Sequence, residues 1–281
     1  MVVLFQHSLR HPVISGRHPL LSITLILLAI GLVAGLLAGL LGIGGGLVIV
    51  PALTALFLVQ DMALDTAAPM AVATSLGTML LTTIGAVWFH HGRAAIDWRG
   101  AWRLGLAVAV GASGGAWLAS SVPGSLLARV FAVIAAVIGL RMAFNPDRPV
   151  VEARSPWPRG WPLMGPAIGG ISAMIGIGGG TFNVPYLARN GYPMVQAVAM
   201  ASVCAWPIAL AGAAMFALLS PETAPDRWTV GYLWLPGVVT IGLGGMLAAP
   251  LGAALAHRLP ASRLRRLFGV MLVIVALRMA W

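Results

Sequence analysis

The sequence predicts an all-α polytopic membrane protein with two inverted repeats of about five membrane segments each, and a broken or re-entrant half-helix in each repeat. Three observations support this fold class. Hydrophobic residues make up 59% of the chain and charged residues 9%, too few charges for the surface of a soluble protein of this length. Apolar stretches long enough to cross a bilayer recur along the chain. A glycine-rich motif surrounded by apolar sequence occurs once in each half.

Each half contains five apolar segments. In the first half they span about 21–42, 47–58, 63–89, 100–121 and 124–144. In the second half they span about 161–176, 181–190, 194–219, 229–256 and 261–281. The second segment of each half is short, since about twelve helical residues reach only ~18 Å and the hydrocarbon core is ~30 Å thick. We therefore expect a half-helix, or one arm of a re-entrant hairpin, at both places.

Small residues in the first segment predict how it packs. Gly31, Gly35 and Gly39 recur at every fourth position, so they share one stripe of the helix. Such stripes ordinarily let two membrane helices approach closely. We expect these three glycines to serve packing.

The glycine-rich motif has the form G-I-G-G-G-x-x-x-V-P. Its copies run from Gly42 to Pro51 and from Gly176 to Pro185, 134 residues apart. Each glycine weakens a helix interior by ~1 kcal/mol, and non-helical backbone at membrane depth is tolerated only where protein buries it or where it lines a polar cavity. Matched breaks in the two halves point to the binding site of a transporter. We expect positive φ at Gly45 and Gly179, a conformation that suits glycine.

The repeat extends beyond the glycines. Further matched stretches are Thr74-Ser75 with Ala201-Ser202, and 140–144 with 277–281. The chain is therefore divided into a first membrane repeat at 21–144, a polar, proline-rich linker at 145–160 and a second membrane repeat at 161–281.

Charged loops distinguish the two halves. The loop after the third segment is basic in the first half, with Arg93, Arg99 and Arg103, and acidic in the second half, with Glu222 and Asp226. Because cytoplasmic loops are enriched in arginine and lysine, matched loops of opposite charge predict that the halves are inverted in the membrane. A net charge of +10 in a soluble protein would suggest nucleic acid. Here the arginines flank apolar runs, so we expect the lipid bilayer as a partner and no nucleic acid.

The residue inventory argues against an enzyme. The chain has no lysine and one cysteine, Cys204, which excludes a P-loop, a Schiff-base lysine, an internal disulfide and a cysteine metal cluster. Its six histidines show no H-E-x-x-H pattern. A membrane-embedded enzyme would need paired acids, a His-rich metal cluster or a nucleophile with its base inside the bilayer, and the sequence shows none. We expect no metal and no cofactor.

The helices that follow the two breaks form the candidate binding site. A helix that begins at membrane depth leaves backbone N–H groups unpaired, and these groups and the helix dipole favour an anion. No Asp, Glu or Arg falls clearly in the middle of an apolar segment, where a cation site would be expected to place a carboxylate. The other interpretation is that the glycines only allow helices to cross closely. The predicted residues for a small anionic substrate are Gly44, Gly45, Gly46, Leu47, Ser75, Gly178, Gly179, Gly180, Thr181, Asn183 and Ser202.

The doubled motif, the Ser75 and Ser202 segments and the Arg-Met sequences near the end of each repeat resemble the TauE/SafE family of sulfite and organosulfonate exporters. The resemblance covers about Ile30 to Trp281. It implies export of small sulfur-containing anions, or related organic acids, across the bacterial inner membrane. Our leading hypothesis is a secondary transporter that exports a small sulfur-containing anion, such as sulfite or a short organosulfonate, by alternating access. Proton-coupled uptake, an anion channel for a related small acid, and association as a homodimer stay open.

Overall fold

The computed structural model of the protein describes residues 19–41, 45–91, 96–144, 160–219, 228–256 and 261–280. The first half contains, in order, α1 (Pro19–Leu41), α2 (Gly46–Val59), α3 (Leu64–His91), α4 (Trp98–Ser121) and α5 (Gly124–Phe144). The second half contains α6 (Trp161–Met174), α7 (Gly180–Arg189), α8 (Met194–Leu218), α9 (Leu235–Ala256) and α10 (Ala261–Ala280).

The lengths and compositions of the described helices fit a multi-pass membrane protein. Six of these helices, α1, α3, α4, α5, α8 and α9, are long and apolar enough to cross a membrane. As predicted, α2 and α7 are short, with 14 and 10 residues. The all-α, polytopic part of the predicted fold class is therefore confirmed. The count of about five segments per repeat, the inversion and the division at 145–160 stay predictions.

Helix α3 lies at the centre of the protein. Within its most apolar window 83% of the residues are buried, against at most 44% in the other five candidate spans. Its buried stretch carries Thr74, Ser75 and Thr78 among small and apolar side chains. A helix covered on all sides by protein can place hydroxyl groups away from lipid, so α3 can support a polar site.

Helices α1 and α9 form a close parallel pair. A Cβ added to Gly31 would meet the backbone of Ile241, and one added to Gly35 would collide with the backbone of Gly245. The contacts advance along both helices together, so the two helices run in the same direction. The prediction that this glycine stripe serves packing is confirmed for Gly31 and Gly35.

Helices α4 and α6 form a second close parallel pair. A Cβ added to Gly111 would collide with the backbone of Pro166, and one added to Gly115 with the backbone of Gly170. Small residues on both helices again allow backbone to approach backbone.

Helices α5 and α10 cross in opposite directions. A Cβ added to Gly139 would lie 3.0 Å from Cγ2 of Val273 on α10. One added to Gly269, a turn earlier on α10, would lie 2.9 Å from the backbone nitrogen of Ala143, a turn later on α5. This pair is therefore antiparallel, unlike the two pairs above.

Aspartate side chains fix the start of two helices. The carboxylate of Asp97 accepts a hydrogen bond from the backbone N–H of Gly100 at 3.1 Å, which caps α4. The carboxylate of Asp65, in the first turn of α3, accepts one from the N–H of Gly124 at 2.7 Å. The second bond ties the start of α5 to the start of α3.

The predicted apolar segment at 229–256 is not one helix. A two-stranded antiparallel hairpin, β1 (Thr229–Val230) and β2 (Leu233–Trp234), precedes α9. The chain turns at Gly231, which has φ +58°. The short run from Val230 to Trp234 continues directly into the apolar sequence of α9, and hydropathy alone does not distinguish such a run from a helix.

The hairpin is held by the helices beside it. The backbone N–H of Tyr232 donates to the carbonyl oxygen of Phe216 at 3.0 Å. The backbone N–H of Trp234 donates to Oγ1 of Thr74 at 3.1 Å. The indole of Trp234 also makes an edge contact with the Phe57 ring, at 5.5 Å between ring centroids. These bonds satisfy backbone groups that a helix would otherwise pair internally.

Candidate functional site

The second glycine motif is a break between α6 and α7. Helix α6 ends at Met174 and α7 begins at Gly180, and every residue from 175 to 180 is buried. Gly176 and Gly179 have φ of +68° and +71°, a left-handed conformation that is costly for residues with a Cβ. The prediction of positive φ at Gly179 is confirmed. Non-helical backbone therefore lies inside the protein, where polar contacts must satisfy it.

The first motif has a different conformation at the matched position. Gly45 has φ −69° and ψ −7°, so the prediction of positive φ there is wrong. The reason is that the carbonyl oxygen of Gly45 already accepts hydrogen bonds from the N–H groups of Val48 and Ile49, each at 3.0 Å, which gives it helical geometry. Space still favours glycine, since a Cβ there would lie 3.0 Å from Cβ of Ala34. Gly44, another predicted site residue, lies outside the described residues.

The start of α2, the second break and the middle of α3 meet at one place. A Cβ added to Gly46 would collide with the carbonyl oxygen of Gly176. The same carbonyl accepts a hydrogen bond from the hydroxyl of Ser75 at 2.8 Å. The neighbouring Leu47 is fully buried. Helix α2 and Ser75, both from the first half, thus contact the break in the second half.

The second break also gathers polar side chains that have no partner. Asn183 is fully buried, and neither Nδ2 nor Oδ1 has a hydrogen-bond partner. The hydroxyl of fully buried Ser172 also has none. A Cβ added to Gly179 would lie 3.0 Å from Nδ2 of Asn183 and 3.6 Å from Oγ of Ser172. These polar atoms therefore converge on the backbone of Gly179.

The first turn of α7 adds backbone donors beside these side chains. The N–H groups of Phe182 and Asn183 bond to the carbonyl of Gly179, at 3.0 and 2.7 Å. The N–H groups of Gly180 and Thr181 precede these first intrahelical bonds. They are therefore among the backbone donors that have no intrahelical acceptor at the start of a helix. The hydroxyl of Thr181 is buried and has no partner.

The described side chains nearest the glycines of the break are neutral. A Cβ added to Gly178 would lie 3.0 Å from Sδ of Met79 and 3.5 Å from Cβ of Ala205. The atoms nearest the same position on Gly176 belong to Val50 and Val72. Among the described residues, no group of three His, Cys, Asp or Glu side chains could hold a metal ion. The break therefore offers backbone N–H groups, hydroxyls and one amide as hydrogen-bonding groups.

Ser202 is not joined to the break by a hydrogen bond. Its hydroxyl donates to the carbonyl of Val198 on its own helix at 3.0 Å. Its first-half match, Ser75, instead bonds across to Gly176. Cys204 is fully buried, with Sγ 3.6 Å from the carbonyl oxygen of Ala101, which fits a packing role.

Sequence reasoning selected Asn183 and missed Ser172. The signal available for Ser172 was its position one turn before the second break, where the first half has Ala38. A lone serine in an apolar helix commonly bonds to its own backbone, so this signal is weak in the sequence alone.

Comparisons with known proteins agree with the sequence. A family model described as Sulfite exporter TauE/SafE matches residues 27–279. The chain is 31% identical over 261 residues to a "Probable membrane transporter protein" of Haemophilus influenzae, which covers 91% of this chain and 97% of the relative. It is 25% identical over 255 residues to a protein of the same description from Methanocaldococcus jannaschii, covering 90% of this chain and 94% of the relative. No solved structure matches.

Proposed function

This chain belongs to the TauE/SafE family of membrane transporters, and we propose that it is a secondary transporter that exports a small sulfur-containing anion, such as sulfite or a short organosulfonate. It is a multi-pass membrane protein, and we place it in the bacterial inner membrane. The substrate class comes from the family description, and alternating access is the mechanism proposed for it.

The observation that carries the proposal is the meeting of the two motifs inside the protein. The start of α2 contacts the second break at Gly46 and Gly176, and unpartnered polar groups lie beside the start of α7. Helix starts provide N–H donors and a positive dipole end, which favour an anion. The described side chains nearest the glycines of the break are neutral, whereas a cation site inside a membrane would be expected to include a carboxylate.

The helix pairing supports two inverted repeats at 21–144 and 161–281, joined at 145–160. Exchanging the halves turns the α1–α9 pair into the α6–α4 pair, and both pairs are parallel. The same exchange maps the α5–α10 pair onto itself, and this pair is antiparallel. A pseudo-two-fold axis in the membrane plane relates inverted halves in this way, and it makes a helix antiparallel to its own match. Alternating access would then consist of one repeat rocking against the other around the site.

Transport of sulfite by the purified protein tests the proposed function. Proteoliposomes that contain the chain should show saturable sulfite flux well above that of empty vesicles. Taurine, whose amine is cationic near neutral pH, should compete poorly with sulfite, since the proposed donors favour negative charge. Flux that rises linearly with sulfite concentration would indicate a channel, and absence of sulfite flux would contradict the substrate assignment.

Cysteine labelling tests the inversion. Cysteines introduced singly at Arg99, in the first turn of α4, and at Glu222, in the sequence after α8, should react with an impermeant reagent from opposite sides of the membrane. Cys204→Ala provides the background, because Cys204 is the one native cysteine and is fully buried. Labelling of both sites from the same side would rule out the inverted arrangement.

A further inference from the structure

The polar side chains at the second break have apolar matches in the first half. Across the 134-residue offset, Ser172 matches Ala38 and Asn183 matches Ile49. Ile49 is buried, as is Leu47, the match of Thr181. The two halves therefore contribute differently, and side-chain recognition would come from the second half.

The buried polar atoms of Ser172 and Asn183 call for a partner from outside the polypeptide. Three atoms, Oγ of Ser172 and both Nδ2 and Oδ1 of Asn183, lack hydrogen bonds, and both residues are fully buried. Leaving buried polar groups unpaired is costly, so native proteins rarely do so without a functional reason. Nδ2 of Asn183 and Oγ of Ser172 lie 3.0 and 3.6 Å from one point, the Cβ position of Gly179, so the two atoms are close enough for one small oxyanion to bond to both.

The chemistry of these groups limits what that ligand can be. Nδ2 of an asparagine only donates and Oδ1 only accepts, while a serine hydroxyl does both. A ligand that satisfies all three atoms must therefore carry acceptor oxygens and a donor of its own. Apart from Asn183 and Ser172, the side chains nearest the Cβ positions of Gly178 and Gly179 are Met79, Ala205 and Ile208, none of which is cationic. A dianion would lose its hydration there without a counter-charge, whereas a single charge is easier to accommodate.

We propose that Ser172 and Asn183 determine substrate specificity by selecting a singly charged oxyanion that carries its own hydrogen-bond donor. For sulfite this means hydrogen sulfite rather than the fully deprotonated ion. For sulfonates it means a hydroxylated molecule rather than a plain alkanesulfonate. The proposal rests on the proposed function and assigns the substrate's charge and protonation at the same site.

Two sulfonates of equal charge test the proposal on the unmodified protein. The purified full-length chain should bind 2-hydroxyethanesulfonate about tenfold or more tightly than ethanesulfonate, because only the former donates a hydrogen bond to Oδ1 of Asn183. Isothermal titration gives both dissociation constants. Sulfite affinity should also fall as pH rises through the range in which hydrogen sulfite loses its proton. Ethanesulfonate affinity, measured in the same buffers, should stay constant.

Variants assign the selectivity to the two residues. Asn183→Leu should remove the preference for the hydroxylated sulfonate, and Ser172→Ala should weaken binding of both sulfonates. The control is Thr54→Val, since the buried Thr54 hydroxyl bonds to the Val50 carbonyl at 2.8 Å within its own helix. Thr54→Val should change neither the preference for the hydroxylated sulfonate nor the affinity for either sulfonate. Melting temperatures of the same variants distinguish loss of fold from loss of affinity.

Equal affinity for the two sulfonates in the unmodified protein, with sulfite flux intact, would overturn this proposal and leave the proposed function standing. Failure of every sulfur anion to bind would overturn both. If Asn183→Leu does not fold, the unmodified protein and Ser172→Ala still decide the question, because the ligand pair differs only in the donor.

Discussion

Gly179→Ala should abolish transport and weaken sulfite binding at least tenfold. Gly179 has φ +71°, and a left-handed alanine costs ~1–2 kcal/mol. Its Cβ would collide with the side chain of Ile208 and lie 3.0 Å from Nδ2 of Asn183. Relief of these contacts would displace the amide and the start of α7, where the proposed donors lie. Proteoliposome flux and isothermal titration measure the two effects.

Gly114→Ala is the matched control for this substitution. Gly114 is exposed within α4, and a Cβ there would meet no atom within 4 Å. Alanine favours a helix interior over glycine by roughly 1 kcal/mol, so this variant should keep full transport and melt no earlier than the unmodified protein. If Gly179→Ala transported at the normal rate and only melted earlier, the glycine would be a packing device and the site would lie elsewhere.

The sequence predicted most helices because their signal is strong and local. Long apolar runs and the short segments after each glycine motif identify α1 to α8 and α10 within a few residues of their bounds. The hairpin before α9 was missed because Trp234 and Tyr232 are stabilised by partners far along the chain, at Thr74 and Phe216. No local pattern encodes such contacts.

The two glycine motifs show a similar limit. The shared motif predicted the same backbone conformation in both copies, yet Gly179 has a left-handed conformation and Gly45 a helical one. The difference depends on which carbonyls and side chains each glycine meets, and these come from other helices. The charge pattern that predicts inversion stays a prediction, since Arg93, Glu222 and Asp226 lie outside the described residues.

The candidate site was predicted at the level of backbone breaks and only partly at the level of side chains. The two motif copies contain Gly46 and Gly176, which the structure brings into contact, and a polar residue after a break drew attention to Asn183. Ser75 was selected without its partner, the Gly176 carbonyl, which is 101 positions away. Whether these residues bind substrate stays a prediction that the variants above address.

Gly35→Ala should lower stability and spare substrate affinity, the opposite of the result expected for Gly179→Ala. A Cβ on Gly35 would collide with the backbone of Gly245, so α1 and α9 would have to move apart. Overpacking of this kind typically costs ~1–3 kcal/mol, and here backbone rather than a flexible side chain must give way. We expect a clearly lower melting temperature in detergent.

The affinity of Gly35→Ala should stay close to normal because the clash lies between α1 and α9. Gly35 and Gly245 meet each other, whereas Gly176 and Gly179 meet α2, α3 and α8 through Val50, Val72 and Ile208. Isothermal titration with sulfite below the melting temperature checks this. A tenfold loss of affinity with unchanged melting would mean that the α1–α9 contact belongs to the binding site. It would also remove the distinction between packing glycines and binding-site glycines on which the proposed site depends.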